Sequence, residues 1–265
     1  MPIIQAHFLP QLVAPEELAG ATVVVFDILR ATSTITCALA ADAARVIPVG
    51  EIDEALQLAD RIARQDGVRP LLAGERHGLP IEGFDLGNSP REYTSERVAG
   101  RTLVFTTTNG TRAMLHCRQA KQVLLGTFVG LQALAARLRD AENVHLLCAG
   151  TEGEITREDV LAAGAFTHEL MRPDDPLSAG AWSRCELNDQ ARIARDSWQA
   201  ALPPAELFTA RDSSEWLARA LSESKGGRNL KRIGLARDIP DCAALDRFDF
   251  VPALDLQSWE IRRSH

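Results

Sequence analysis

Nowhere does the sequence hold an apolar run near the roughly 18–20 residues that a membrane-spanning helix needs. Cys-x-x-Cys pairs are also missing. The five cysteines (37, 117, 148, 185 and 242) are odd in number and widely spread, which argues against a disulfide framework or a zinc ribbon and for buried thiols. Basic charge is the minority sign, 29 Lys and Arg against 36 Asp and Glu for a net charge of −7. That balance speaks against nonspecific nucleic-acid binding but leaves room for a local basic pocket. There is no internal repeat of about 20–50 residues and no low-complexity tail, which removes solenoid and disordered readings. The opening stretch MPIIQAHFLPQLV has no basic region and carries Gln5 and His7 among its apolar residues. It reads as a strand rather than a signal peptide, and a cytoplasmic location is expected. G-x-x-x-x-G-K-[ST], G-x-G-x-x-G opening a helix, and G-x-S-x-G are all absent, which argues against nucleotide binding and a serine-hydrolase elbow.

What is present is 265 residues, 46% hydrophobic and 25% charged, enough for one large α/β unit. The runs TVVVFD (22–27), ARVIPVG (44–50), RPLLAG (69–74), RTLVFT (101–106), KQVLLG (121–126) and NVHLLCAG (143–150) have the composition of buried strands. Helical patterns separate most of them, including 31–43, 51–67 with a Gly67 stop, 110–120, 130–141 and 157–172. The alternation predicts an α/β fold: a mostly parallel sheet with helices on both faces, three layers deep, with its site beyond the carboxyl ends of the strands. PDDP breaks the pattern after Arg172, and two alanine-rich helices (about 178–201 and 204–222), a glycine turn at SKGGRN and a final edge strand or packed segment are expected. The chain therefore reads as one catalytic unit, with a subdivision into a core (1–172) and a helical C-terminal part (173–265) left open.

Polar clusters sit at the predicted strand ends. FDILRATST places Asp27 at the end of a strand and Arg30, Thr32, Ser33 and Thr34 at a helix start, where a carboxylate suits Mg²⁺ and a helix start suits phosphate oxygens. The same pattern is also that of an ordinary capped turn. AGERHGLPIEGFDLGNSPRE is a long loop with four glycines and two prolines. Its SPRE reads as a capping box from Ser89 to Glu92, whereas Glu75, Arg76, Asp85 and Asn88 have no such structural reason. In FTTTNGTRAM the threonines 106–108, Asn109, Thr111 and Arg112 surround a helix start, either a cap or an anion cradle. LCAGTEGEITREDV brings Cys148, Glu154, Glu158 and Asp159, of which the acids also suit a first helical turn. Arg157 lies too far from Cys148 for a cysteine-phosphatase loop, and the strand alternation of HLLC separates His145 from Cys148. Arginine beside a carboxylate or hydroxyl cluster in DILR, GER and NGTR points to a small, multiply anionic ligand held with a divalent cation.

DILRATSTI, GERHGLPIEGFDLGNSP, FTTTNGTRAM and CAGTEGEITREDVLAAGAF, in this order, resemble the 2-phosphosulfolactate phosphatase family, and GRNLKRIGLARDIPDC resembles its C-terminal portion. The resemblance runs over nearly the whole chain. It implies a Mg²⁺-dependent hydrolase converting 2-phospho-3-sulfolactate to 3-sulfolactate and phosphate, a step of coenzyme M biosynthesis. Carried onto the matching positions, it implies catalytic roles for Asp27, Arg30, Glu75, Arg76, Asp85 and Cys148. It implies phosphate and substrate binding by Asn88, Thr108, Asn109, Gly110, Thr111 and Arg112, and a Mg²⁺ site drawn from Asp27, Glu75, Glu158 and Asp159. Asp27 after a hydrophobic strand and the threonines of FTTTNG are similar to haloacid-dehalogenase-type phosphatases, but Leu29 stands where their second aspartate would be. The nucleophile stays open between Asp27 and a metal-bound water. So do two other functions: turnover of another small phosphorylated acid, and phospholigand binding without turnover. The expected partner is a small anionic phosphorylated substrate, with neither nucleic acid nor membrane, in a homo-oligomer.

Overall fold

The computed structural model describes residues 1–171, 182, 185–202 and 210–264, and of 210–212 the backbone alone. In chain order the first part holds β1 (Ile3–His7), β2 (Thr22–Phe26), α1 (Ala31–Ala40), β3 (Arg45–Pro48), α2 (Ile52–Asp66), β4 (Leu71–Arg76) and β5 (Leu79–Pro80). It continues through α3 (Ser95–Val98), β6 (Thr102–Thr106), α4 (Gly110–His116), β7 (Gln122–Gly126), α5 (Leu131–Arg137), β8 (Asn143–Cys148) and α6 (Arg157–Leu170). Then come β9 (Glu186–Leu187), α7 (Asp189–Ala201), α8 (Ala210–Ser222), α9 (Lys225–Arg232), α10 (Asp238–Cys242), β10 (Val251–Asp255) and β11 (Glu260–Ser264). All strands belong to one sheet, in the order β5-β4-β6-β3-β11-β10-β7-β2-β8-β1-β9.

The strand period of two explains the helices on both faces. Val24, Phe26, Leu124, Leu146 and Cys148 pack into one apolar cluster with Phe166 of α6 and Trp198 of α7. Val23, Val25, Val123, Leu125 and Leu147 point the other way, onto Ile35 of α1 and Met114 of α4. α2 covers β3, β4 and β6 through Ala55, Ala59 and Ile62, and ends at Gly67 in the left-handed conformation, φ 70°. The α/β fold and its mostly parallel sheet are therefore as expected. Among the described residues no helix is long and apolar enough to cross a membrane.

The C-terminus differs from its expected place. The hairpin β10–β11 is not at an edge: β10 pairs antiparallel with β7 and β11 with β3, joining two groups of parallel strands. Val251, Leu254 and Ile261 are buried there, so the last turns of the chain complete the middle of the sheet. The helix expected from about 178 begins instead at Asp189, where the Asn188 side chain caps it by accepting the Ala191 N–H at 2.8 Å. PDDP, the expected helical residues 178–181 and 183–184, and 204–209 lie outside the described residues. SKGGRN is a helix start rather than a turn, with Ser224 Oγ accepting the Gly227 N–H at 3.1 Å.

α6 and α7 approach closely because Gly164 has no side chain: a Cβ there would lie 2.0 Å from the Ala194 carbonyl oxygen. Gly164→Ala must push the helices apart and is expected to cost about 2 kcal/mol, a fall of about 5 °C in Tm by calorimetry. An unchanged Tm would show the contact to be slack.

On β1 and β8, His7 and His145 stack, with Nε2 of the first and Nδ1 of the second 2.9 Å apart. Burial, and then His145, hold the His7 pKa down at about 4, with Glu17 raising it and His116 lowering it further. His145 is lowered by burial in turn. Because the unfolded imidazole binds its proton first, the stability held by neutral His7 is complete above pH 6.5 and is lost as pH falls toward 4. Between pH 7 and pH 5 that amounts to about 2 kcal/mol. Asp27, Glu158 and Asp159, whose pKa values are raised, act in the opposite direction over the same range. The His7 part is thus read as the difference in urea unfolding between wild type and His7→Gln at the two pH values. Parallel pH dependences would remove it.

Candidate active site

A cleft of about 650 Å³, including the solvent at its mouth, opens where the loops after β2, β4 and β6 meet α9. Its wall includes Asp27, Arg30, Glu75, Asn88, Thr108 and Asn109. Asp27 follows the last residue of β2, and its Oδ1 accepts the Ala31 N–H at 3.1 Å, capping α1. Burial, reinforced by the carboxylates of Glu75 and Glu158, pushes its pKa up to about 7 against the Ala31 N–H bond and Arg30. Gly110 lets α4 start directly against it: a Cβ at 110 would meet Asp27 Oδ2 at 2.7 Å.

Thr108, just ahead of the NGT turn, already holds an anion from its own chain. Glu75, at the end of β4, accepts the Thr108 N–H at 2.7 Å and the Gly78 N–H at 2.6 Å, with Thr108 Oγ1 at 3.3 Å. Thr111 turns inward, its N–H donating to Thr107 Oγ1 at 3.2 Å and its hydroxyl to the Thr107 carbonyl at 2.8 Å. The expected cradle is therefore a socket that fixes a carboxylate at the cleft wall.

The first turn of α6 brings two more buried acids. Asp159 accepts the N–H groups of Ile28 and Gly150, each at 2.9 Å, and so ties the loop after β8 to the loop after β2. Burial, with Glu158 and Asp27 nearby, raises its pKa well above the usual carboxylate range. Glu158 Oε1 accepts the Gly226 N–H at 3.0 Å, while its Oε2 is buried with no hydrogen-bond partner. Asn88 Oδ1 is a second buried acceptor without one. Arg30 is fixed by a buried ion pair, Nη1 to Asp238 Oδ2 at 2.6 Å, and by Nη2 to the Gly78 carbonyl at 2.8 Å.

Four residues singled out in the sequence lie elsewhere. Arg76 turns from the cleft to the Gly50 carbonyl and Thr106 Oγ1, at 2.9 and 3.0 Å. Asp85 caps the Leu72 N–H at 2.8 Å and faces Arg69, and Arg112 is an exposed neighbour of Glu51 at 3.9 Å. Cys148 is wholly buried in the apolar core, where burial raises its thiol pKa well above 9 and leaves it a packing residue. The capping box also dissolves: Ser89 donates to Asp238 Oδ1 at 2.7 Å, and Glu92 accepts the Gly87 N–H at 3.0 Å. Ser89 and Arg76 in particular are drawn away by partners distant in sequence, Asp238 and Gly50.

Residues the sequence did not flag complete the cleft: His77, Thr151 and Glu152, with Gly226, Asn229 and Arg232 of α9. A signal existed in GRNLKRIG, whose Leu230 and Ile233 are spaced to seat one helical face. Gly226 is what lets α9 descend, because a Cβ there would lie 2.2 Å from Glu158 Oε1. Among the described residues no group of three or more His, Cys, Asp or Glu side chains forms a ready-made metal site.

A family model described as 2-phosphosulpholactate phosphatase matches residues 7–257. The chain is 38% identical over 239 residues to a protein of Caldanaerobacter subterraneus subsp. tengcongensis, covering 90% of this chain and 89% of that one. It is 40% identical over 239 residues to a protein of Symbiobacterium thermophilum (89% and 92% covered), and 37% over 233 residues to one of Thermotoga petrophila (88% of each). All three relatives carry the description "Probable 2-phosphosulfolactate phosphatase".

Proposed function

The chain belongs to the 2-phosphosulfolactate phosphatase family, whose members are phosphoric monoester hydrolases, and from that premise we propose that it converts 2-phospho-3-sulfolactate to 3-sulfolactate and inorganic phosphate with the help of Mg²⁺. The same reading sets the reaction within coenzyme M biosynthesis. The observation that carries the cation is Glu158 Oε2, a buried acceptor without a partner on a residue close enough to Asp27 to raise its pKa. A buried carboxylate oxygen without a donor is costly, and a divalent cation is the group that suits several such oxygens at once.

Asp27 and Glu158 would hold the ion, with Asn88 Oδ1 as a neutral donor. Glu75 and Asp159, each with both oxygens already accepting backbone N–H groups, anchor the turns around it. Bound there, Mg²⁺ supplies charge neutralisation and polarisation at the phosphoryl oxygens. The protein's own part begins at Asp27, whose second oxygen is free of the Ala31 bond and either attacks phosphorus or takes the proton of an attacking water. Arg30, held rigid by Asp238, keeps a positive charge at the cleft wall against the developing phosphoryl charge. When water attacks, the proton taken by Asp27 passes to the ester oxygen, which leaves on carbon 2 as the product hydroxyl; when Asp27 attacks, a water gives its proton to that oxygen and its hydroxide to phosphorus, releasing phosphate and restoring the carboxylate.

Phosphate release from 2-phosphosulfolactate, 2-phospholactate and phosphoglycolate, in Mg²⁺ and after EDTA, tests this reading. Release led by the sulfonate substrate, abolished by EDTA and restored by Mg²⁺, is expected. EDTA-insensitive release would remove the cation, preference for another acid would change the substrate, and binding without release would make the protein a binder.

A further inference from the structure

Two arginines line the cleft, and they are not equivalent. Arg30 is buried and paired with Asp238, whereas Arg232, at the end of α9, is exposed and has no carboxylate partner among the described residues. Its hydrogen bond runs within the helix, Nη2 to Asn229 Oδ1 at 3.1 Å. Lys225, one helix-length away, is already committed to Glu152 and Glu154 at 3.7 and 3.0 Å.

The same bond decides what Asn229 can offer. With Oδ1 occupied, its Nδ2 group is the free end, a donor. Asn109 is in the same state, because its Oδ1 accepts the Glu152 N–H at 3.0 Å. Both asparagines line the cleft, so its wall presents a guanidinium and two amide donors beside the carboxylates of Asp27, Glu75 and Glu152. Such a surface matches a permanently ionised group that only accepts hydrogen bonds.

We propose that Arg232, with the Nδ2 groups of Asn229 and Asn109, binds one of the two acid groups that the substrate carries beyond its phosphate, the sulfonate on carbon 3 rather than the carboxylate on carbon 1. The subsite rests on the phosphatase reading above and makes α9 the element that selects among phosphorylated acids. The lining carboxylates would repel the sulfonate while these donors attract it, which gives the substrate one favoured direction.

The test compares kcat/KM for 2-phosphosulfolactate and for 2-phospholactate, which has a methyl group where the other carries its sulfomethyl. In Arg232→Gln the ratio of the two is expected to fall about tenfold or more, as loss of a charge-assisted hydrogen bond predicts. Lys231→Gln, on the same helix but outside the cleft lining, is expected to leave the ratio as in wild type. Equal losses on both substrates, or no loss on either, would overturn the subsite. Calorimetric binding of 3-sulfolactate to wild type and Arg232→Gln separates this from the phosphatase reading. Wild type that binds 3-sulfolactate through Arg232 yet releases no phosphate overturns only the activity. Active wild type whose 3-sulfolactate affinity is unchanged in Arg232→Gln overturns only the subsite, and absence of both binding and release overturns both.

Discussion

Asp27→Asn is expected to lower phosphate release by about 1,000-fold while making the protein more stable in the absence of divalent cations. The amide keeps an oxygen for the Ala31 N–H and nearly the same volume, so the start of α1 survives. What it loses is the negative charge, the property needed for nucleophilic attack, for taking a proton or for holding a cation. Loss of one such positioned group costs roughly two to four orders of magnitude in rate. Stability moves the other way. The Asp27 pKa is raised from 3.8 to about 7 by burial and by Glu75 and Glu158, so stability is lost as pH rises between those values and the loss is complete above 7. Removing the charge should raise unfolding free energy by on the order of 2 kcal/mol at pH 8 in EDTA, allowing for the cost of burying an amide. Steady-state phosphate release and urea unfolding of the same preparation check both halves. A folded variant with undiminished turnover would remove Asp27 from the chemistry.

The second large effect concerns the ion pair behind the cleft. Asp238 accepts from Arg30 at 2.6 Å and from Ser89 at 2.7 Å, and both charged side chains are 2% exposed. Truncating one partner leaves the other charge buried without compensation, which costs about 3–5 kcal/mol. Asp238→Ala should therefore lose about that much in urea unfolding, with a Tm lower by about 10 °C. The double variant Arg30→Met with Asp238→Leu should recover most of it, because replacing a whole buried pair by apolar groups is close to neutral. Activity should not return with stability, since Arg30 also lines the cleft. Single and double variants that all lie within 1 kcal/mol of wild type would show the pair to be solvated.

These two sites differ in how they could be read. Asp27 was legible because its signal is local: a β-branched run, a carboxylate at its end and a helix start follow one another within ten residues. Asp238 was not. It lies 208 positions from Arg30 and 149 from Ser89, and nothing in ARDIPDC marks which aspartate is buried. Glu75 stands between these cases, since its loop was conspicuous but its bond to the Thr108 N–H needed β4 and β6 to be neighbours. At the expected phosphate cradle the Thr108 N–H is taken by Glu75, a partner that only the fold could bring there.

The hairpin shows the same boundary for the architecture. Pro252 cannot donate to a ladder, which argues for an edge, yet β10 pairs with β7 only through Ala253 and Leu254 and the proline escapes that ladder. By itself the sequence determined the alternation of strand and helix, the two apolar faces of each central strand, the strand-end positions of Asp27 and Glu75 and the helix-start position of Glu158, because those follow from period and from residues close along the chain. Tertiary structure alone decided that β10–β11 fill the middle of the sheet. It alone turned Arg76, Asp85, Arg112 and Cys148 away from the cleft and laid α9 over the acids, because each depends on which distant group is nearer once the chain has packed.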